Sequence, residues 1–168
     1  MKVSIDVLRA HLAYSQWANE KLLQASRDLS PGELGRDFGS ADKSVVGTLV
    51  HVFAAERVWL DRVQSHVPRT FIGEEDREFA ALQRAWPPIW EAWKEWADLQ
   101  TDASIHESVS YHDLKGNAHT TPLWQIVLHL VNHGAHHRGQ VTGFLRAMNQ
   151  KPPALDLIAF YRERAAAE

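Results

Sequence analysis

Along most of this chain apolar residues recur every three or four positions with polar residues between them, the periodicity of amphipathic helices. From about Ser4 to Arg27 the apolar set is Ile5, Leu8, Leu12, Leu22 and Leu23, with Tyr14, Trp17 and Ala18 between them, which predicts one long helix. The tetrapeptide SPGE, Ser30 to Glu33, has the form of a capping box with proline at the first helical position, so a short turn of helix is expected. RDFGSAD, residues 36–42, reads as loop. Ser44 then caps a second long helix running to about Val63 or Gln64. Leu49, Val52, Phe53, Glu56, Leu60 and Val63 lie on one of its sides, and Val46, Val50, Ala54 and Val58 make much of the remainder apolar. A helix apolar nearly all round belongs in the middle of a bundle or at a subunit interface.

HVPRTFIGEED, residues 66–76, reads as a connection. A third long helix is expected from about Asp76 to Leu99, with Phe79, Leu82, Trp86, Trp90 and Trp93 at helical spacing. Pro87 and Pro88 fall inside it, and either kink the helix or start a new one. SVSYHDLKGNAHTT alternates and holds Gly116-Asn117, the pattern of a small hairpin. Thr121 and Pro122 read as N-cap and first residue of a fourth long helix reaching Met148. Pro152 and Pro153 close the linker after it, and LDLIAFYRERAAAE predicts a short terminal helix. The whole, residues 1–168, is expected to be one all-α domain: a four-helix bundle with a hairpin before the fourth helix and a short C-terminal helix. The connections are long enough for crossovers.

Composition narrows the function classes. Charged residues are 23% of the chain and the net charge is −3, so no basic footprint for nucleic acid exists. No stretch approaches the roughly 20 apolar residues of a membrane span. Asp6 and Arg9 interrupt the place where a signal peptide needs an apolar run, so a soluble, cytoplasmic protein is expected. Cysteine is absent, which removes disulfides, thiolate ligands and a cysteine nucleophile. The seven tryptophans are read as core packing.

The candidate chemistry lies in HLVNHGAHHRGQVTGF, where four histidines fall within nine residues. At roughly 100° per residue, Leu123, Val127, Leu130, Gly134, Val141 and Leu145 form the buried stripe. His133 and His137 lie at its edge, in line with Gln140 and Phe144, as an i, i+4 pair able to converge on one ion. His129 lies farther round, and His136 lies farther still, on the polar side. Two imidazoles make a weak site, and a zinc-like centre needs at least one more protein ligand. His11, His51 and Glu56 are the helical candidates; His51, in so apolar a helix, needs a polar partner. Of these His11, like His66, His106, His112 and His119, reads as a surface or loop residue with no claim on function.

GTLVHVFAAERVWL, followed far downstream by HLVNHGAHHRGQVTGFLR, resembles the DinB/YfiT superfamily of metal-binding four-helix bundles. The resemblance extends over essentially the whole chain, through YSQWANEKLL and the tail PALDLIAFYRE. It implies a divalent metal, with zinc or nickel the leading expectation and iron a further one, held by His51, His133 and His137. It also implies a homodimer and, by analogy with thiol-dependent members, a low-molecular-weight thiol of the bacillithiol or mycothiol type as partner. Any thiolate must then come from outside this cysteine-free chain.

Three imidazoles leave a coordination position open, and Gln140 is placed to hydrogen-bond a ligand there. Trp59, Trp90 and Phe144 are expected to line the pocket above it, and Arg138 reads as structural, pairing with Glu56 or a partner subunit. Three functions follow as expectations. The first is a metal-dependent thiol transferase or hydrolase, the second a non-catalytic metal-binding stress protein, and the third a bundle whose histidines are simply packed.

Overall fold

The computed structural model describes residues 2–73 and 76–167, so Glu74 and Glu75 of the expected connection lie outside the described residues. Among the described residues, six α-helices and one two-stranded hairpin follow in chain order. Helix α1 is Ile5–Ser26, α2 Pro31–Leu34, α3 Val45–Val63 and α4 Phe79–Asp98. A 3₁₀ turn at Ser104–His106 leads to strands β1, Ser108–His112, and β2, Ala118–Pro122. Helix α5 is Leu123–Ala147 and α6 is Leu157–Ala165. In the bundle α5 packs chiefly between α1 and α3, and α4 closes the other side between the same two. Consecutive long helices α1 and α3 therefore stand diagonally, and the topology is not a simple up-down succession.

Local chemistry accounts for most of the boundaries. The Ser30 hydroxyl accepts from Glu33 N while the Glu33 carboxylate accepts from Ser30 N at 2.8 Å, which completes the capping box on α2. Ser44 Oγ accepts from Gly47 N at 3.1 Å and starts α3. Along α3, Leu49, Val52, Phe53 and Leu60 are all but inaccessible to solvent. Full burial of side chains of this size contributes roughly 1.5–3 kcal/mol each.

Helix α4 is continuous through Pro87 and Pro88. Both prolines lie on its exposed side, where water can serve the carbonyls that lose their donors. Leu82, Trp86, Ile89, Trp90, Trp93 and Trp96 fill the inward side. The start of α4 differs from the expected Asp76. That carboxylate is held by Arg57, at 2.9 and 2.7 Å, and by Gly73 N at 2.8 Å, so it belongs to the preceding loop.

The hairpin pairs Val109 with Thr121 and Ser108 with Pro122. Thr121 is thus a strand residue whose hydroxyl meets Tyr111 Oη at 3.3 Å, not the expected N-cap. Pro122 stands at the cap position without a side-chain bond, and Leu123 N donates instead to Glu107 O at 2.9 Å. At the other end of the chain, Phe160 of α6 packs edge-on to Tyr14 and Trp17, with ring centroids 5.9 and 5.6 Å away. Among the described residues no helix is long and apolar enough to cross a membrane.

Candidate metal centre

The centre lies where α3 and α5 pack. His51 enters from one helix and His133 and His137 from successive turns of the other. One ligand atom from each ring lies within 4.8 Å of the others. Ring centroids are 4.4 Å apart for His51 and His137, 4.5 Å for His133 and His137, and 5.0 Å for His51 and His133. His51 Nε2 and His133 Nε2 face each other at 3.0 Å. Two ring nitrogens so close repel unless a proton or a cation lies between them.

The far side of the rings is held by a residue that the periodicity did not single out. Asp42 places Oδ1 3.4 Å from His51 Nδ1 and Oδ2 3.6 Å from His137 Nδ1, ion-pair reach rather than hydrogen-bond length. His137 Nδ1 also meets Gln140 Oε1 at 2.9 Å. A carboxylate or amide oxygen on Nδ1 fixes that nitrogen as the N–H and leaves the Nε2 lone pair free to face an ion, as outer partners do in histidine metal sites.

The loop that carries Asp42 is itself built. Lys43 takes a left-handed backbone conformation, φ 64, and accepts from Phe38 N at 2.8 Å, folding the loop back over the start of α3. Gly47 makes the approach feasible, because a Cβ there would collide with the Asp42 carbonyl oxygen. Phe38 in the same loop stacks on Phe144 of α5, 4.5 Å between centroids and 7° between planes. The loop is thereby pinned to both helices of the centre.

Burial favours neutral imidazoles. It pushes His133 down to about 4, helped by the charges His137 and His51 would carry. Burial also lowers His51, against the opposing pull of Asp42. Neutral rings offer lone pairs, so the donor set fits a borderline divalent ion such as zinc, nickel or iron. The structure thus brings His51, His133 and His137 together and leaves His136 exposed. His129 lies one ring farther, 5.8 Å from His133, with Trp59 edge-on to it at 5.5 Å.

The remaining sequence candidates divide. Gln140 meets His137 rather than the space beyond the rings, Phe144 packs on the Asp42 loop, and Trp59 reaches the centre through His129. Trp90 packs at a tilt against Trp86 instead and lines a separate cleft between α1 and α4. His11 is not a ligand, since its Nδ1 meets Val7 O of its own helix at 2.8 Å. Glu56 is likewise turned away. Its Oε1 accepts from Asn19 Nδ2 at 2.9 Å and from Ser15 Oγ at 3.4 Å, and its Oε2 accepts from Trp86 Nε1 at 2.6 Å. Arg138 Nη1 donates to the same Ser15 and Asn19, both at 3.1 Å, so Arg138 and Glu56 meet through two neutral side chains. A further aromatic not singled out by the sequence, Phe71, sits edge-on to His51 at 5.4 Å. Asp42 had one sequence signal, an acid close before the Ser44 cap, but nothing in periodicity assigns a direction to a loop side chain.

No curated protein matches the chain. A crystal structure of a DinB-like protein from Bacillus cereus superposes with a TM-score of 0.61 at 18% identity, over 92% of this chain and 99% of that one. At that identity the likeness speaks for the fold alone. The DinB family model matches residues 1–166, the span that contains all three histidines and the Asp42 loop. The chain belongs to the DinB family.

Proposed function

We propose that His51, His133 and His137 hold one divalent metal ion, and that the chain uses it as a metal-dependent enzyme of the thiol-transferase or hydrolase kind. The observation that carries this reading is the convergence of three ring nitrogens with a carboxylate behind two of them. A divalent ion held there would supply Lewis acidity, the chemistry by which a thiol or water becomes a nucleophile at neutral pH. The chain's own residues do the rest. Asp42 and Gln140 orient the imidazoles, and burial disfavours protonation of His51 and His133. His51, with 22% of its side chain exposed, and the half-buried His133 leave an approach from solvent. Phe71 and Trp59 with His129 give that approach aromatic flanks. With no cysteine in the chain, the thiol is a small molecule from outside.

Metal binding without catalysis is the second reading. It is favoured by the commitment of the Asp42 carboxylate to two ring nitrogens, which leaves that group poorly placed as a general base. Cobalt substitution separates the two. An accessible site develops a sulfur-to-cobalt charge-transfer band when a small thiol is added. A spectrum unmoved by thiols, azide or pH sinks the enzyme reading and leaves metal binding alone. Elemental analysis of protein purified without a histidine tag identifies the ion.

A further inference from the structure

Away from the histidines, a cleft of about 410 Å³ opens between α1 and α4, within the roughly 300–1,000 Å³ of small-molecule sites. Its walls are apolar, from Leu12 and Ala13 of α1 and Trp93 and Ala97 of α4, and Leu130 of α5 lies at its base. The polar groups along it fall into two kinds. Those at the base are already engaged. Glu56 accepts from Asn19, Ser15, Trp86 and Trp90, four donors for the roughly four lone-pair sites of a carboxylate. Arg138 offsets its charge.

The rim is different. The Arg9 guanidinium lies between Asp6, at 3.1 Å, and Asp98, at 3.7 Å, and Gln16 donates to Glu20 at 2.8 Å. Lys94 of α4 and Arg164 of α6 remain. Both are exposed, and among the described residues neither side chain makes a hydrogen bond or an ion pair. The Arg164 guanidinium rests over the Phe160 ring, 5.6 Å from its centroid. The rim thus sets three cations, Arg9, Lys94 and Arg164, against the carboxylates of Asp6 and Asp98, which leaves one net positive charge. An exposed cation needs no partner in water, but these two stand on different helices over one apolar cleft. Such a lining complements a molecule whose body is apolar and whose single charge is negative. The body leaves water between the helices, while the charge stays at the wet rim, where it is not desolvated.

We propose that the cleft between α1 and α4 is a second ligand site, for a small amphipathic monoanion whose apolar body lies between the helices and whose charge meets Lys94 and Arg164. The ligand class is a medium-chain or aryl carboxylate. A cationic head group would face both unpaired cations, and a neutral one would leave them unused. This site is independent of the metal centre and of the activity proposed for it.

Octanoate and octylamine, which share a chain and differ in the sign of the head group, are the probes, with octanamide as the neutral reference. Titration of nitrogen-15-labelled protein is followed at the indole N–H signals, with the Trp93 signal of the cleft wall assigned by its loss in Trp93→Phe. Octanoate is expected to bind saturably and about tenfold more tightly than octylamine, with octanamide between them. Lys94→Glu combined with Arg164→Glu, both at exposed positions, should invert that order. Ala10→Phe, which fills the half-buried wall of the cleft, should abolish binding of all three. Circular dichroism checks that each variant is folded. Equal affinity for octanoate and octylamine overturns the proposal, as does the absence of saturable octanoate binding. An order unchanged in the double variant, or binding indifferent to Ala10→Phe, overturns it too. So does octanoate affinity that falls as protein concentration rises, because a second copy then occupies the cleft.

Discussion

Helices α3 and α5 carry polar residues on two sides, and the two clusters they form follow opposite physical rules. On one side His51, His133 and His137 converge with Asp42 and Gln140 behind them. His51 and His133 are partly exposed, burial disfavours their protonation, and their Nε2 atoms lie 3.0 Å apart. On the other side Glu56 and Arg138 are opposite charges, 3% and 2% exposed, linked through Ser15 and Asn19 of α1 and tied to α4 by Trp86. That network ties all four long helices together. His137 and Arg138 are adjacent in sequence, so one step around the helix separates a side chain that serves a site from one that serves the fold. The lesson is one of satisfaction. Where charges are paired the helices are locked, and where ring nitrogens converge they could share an ion.

The comparison breaks first at its structural half. Glu56→Ala leaves the Arg138 guanidinium buried without its acid, and should destabilise the fold by about 3–5 kcal/mol in urea unfolding. Arg138→Ala should cost a similar amount. The double variant should cost clearly less than the sum, since the second change removes an already orphaned charge. Additive costs would mean that the two groups do not communicate through Ser15 and Asn19.

Gly47→Ala acts on the junction of fold and site. Its Cβ must displace the Asp42 backbone, so a loss of roughly 1–3 kcal/mol is expected together with weaker metal binding. Unchanged metal affinity would show that the loop shifts without disturbing the histidines. Asp42→Asn isolates the orienting role. Metal affinity should fall about 10–100-fold while the melting temperature of metal-free protein moves little. Competition with a chelating dye measures it.

The pH response should be gentler. In metal-free protein His133 titrates at about 4, below its ordinary value, so the unfolded chain takes up the proton first as pH falls. The stability present above about pH 6.5 is therefore lost progressively toward about pH 4. His51 is shifted in the same direction and adds to this loss. Glu56, raised by burial, works in the opposite sense, so the contribution of His133 is read as the difference from His133→Phe. That variant should lose less stability between neutral pH and pH 5. An identical loss would assign the effect elsewhere.

The periodicity of the chain carried far. Helices α1, α3, α4 and α5 are legible because each buries an apolar side at three- and four-residue spacing. The same wheel places His133 and His137 inward and His136 outward. What it misses are groups whose direction is set by contacts distant in sequence. Thr121 carries a capping chemistry but is spent in the β ladder. Asp76 starts no helix because Arg57 holds it. Trp90 follows the same helical spacing as Trp86 and Trp93, yet only the packing of α1 against α4 reveals that it faces a cleft away from the histidines. Asp42 lies in a loop, where spacing encodes no side.

Metal content tests the central claim most directly. Protein purified without a tag, loaded with zinc or nickel and freed of excess, should carry one divalent ion per chain by elemental analysis. His51→Ala, His133→Ala and His137→Ala should each lose it, while His136→Ala, whose ring is exposed, should keep it at near wild-type affinity. Metal retained by His137→Ala but lost from His136→Ala, or a wild-type chain that binds no ion at all, would contradict the account.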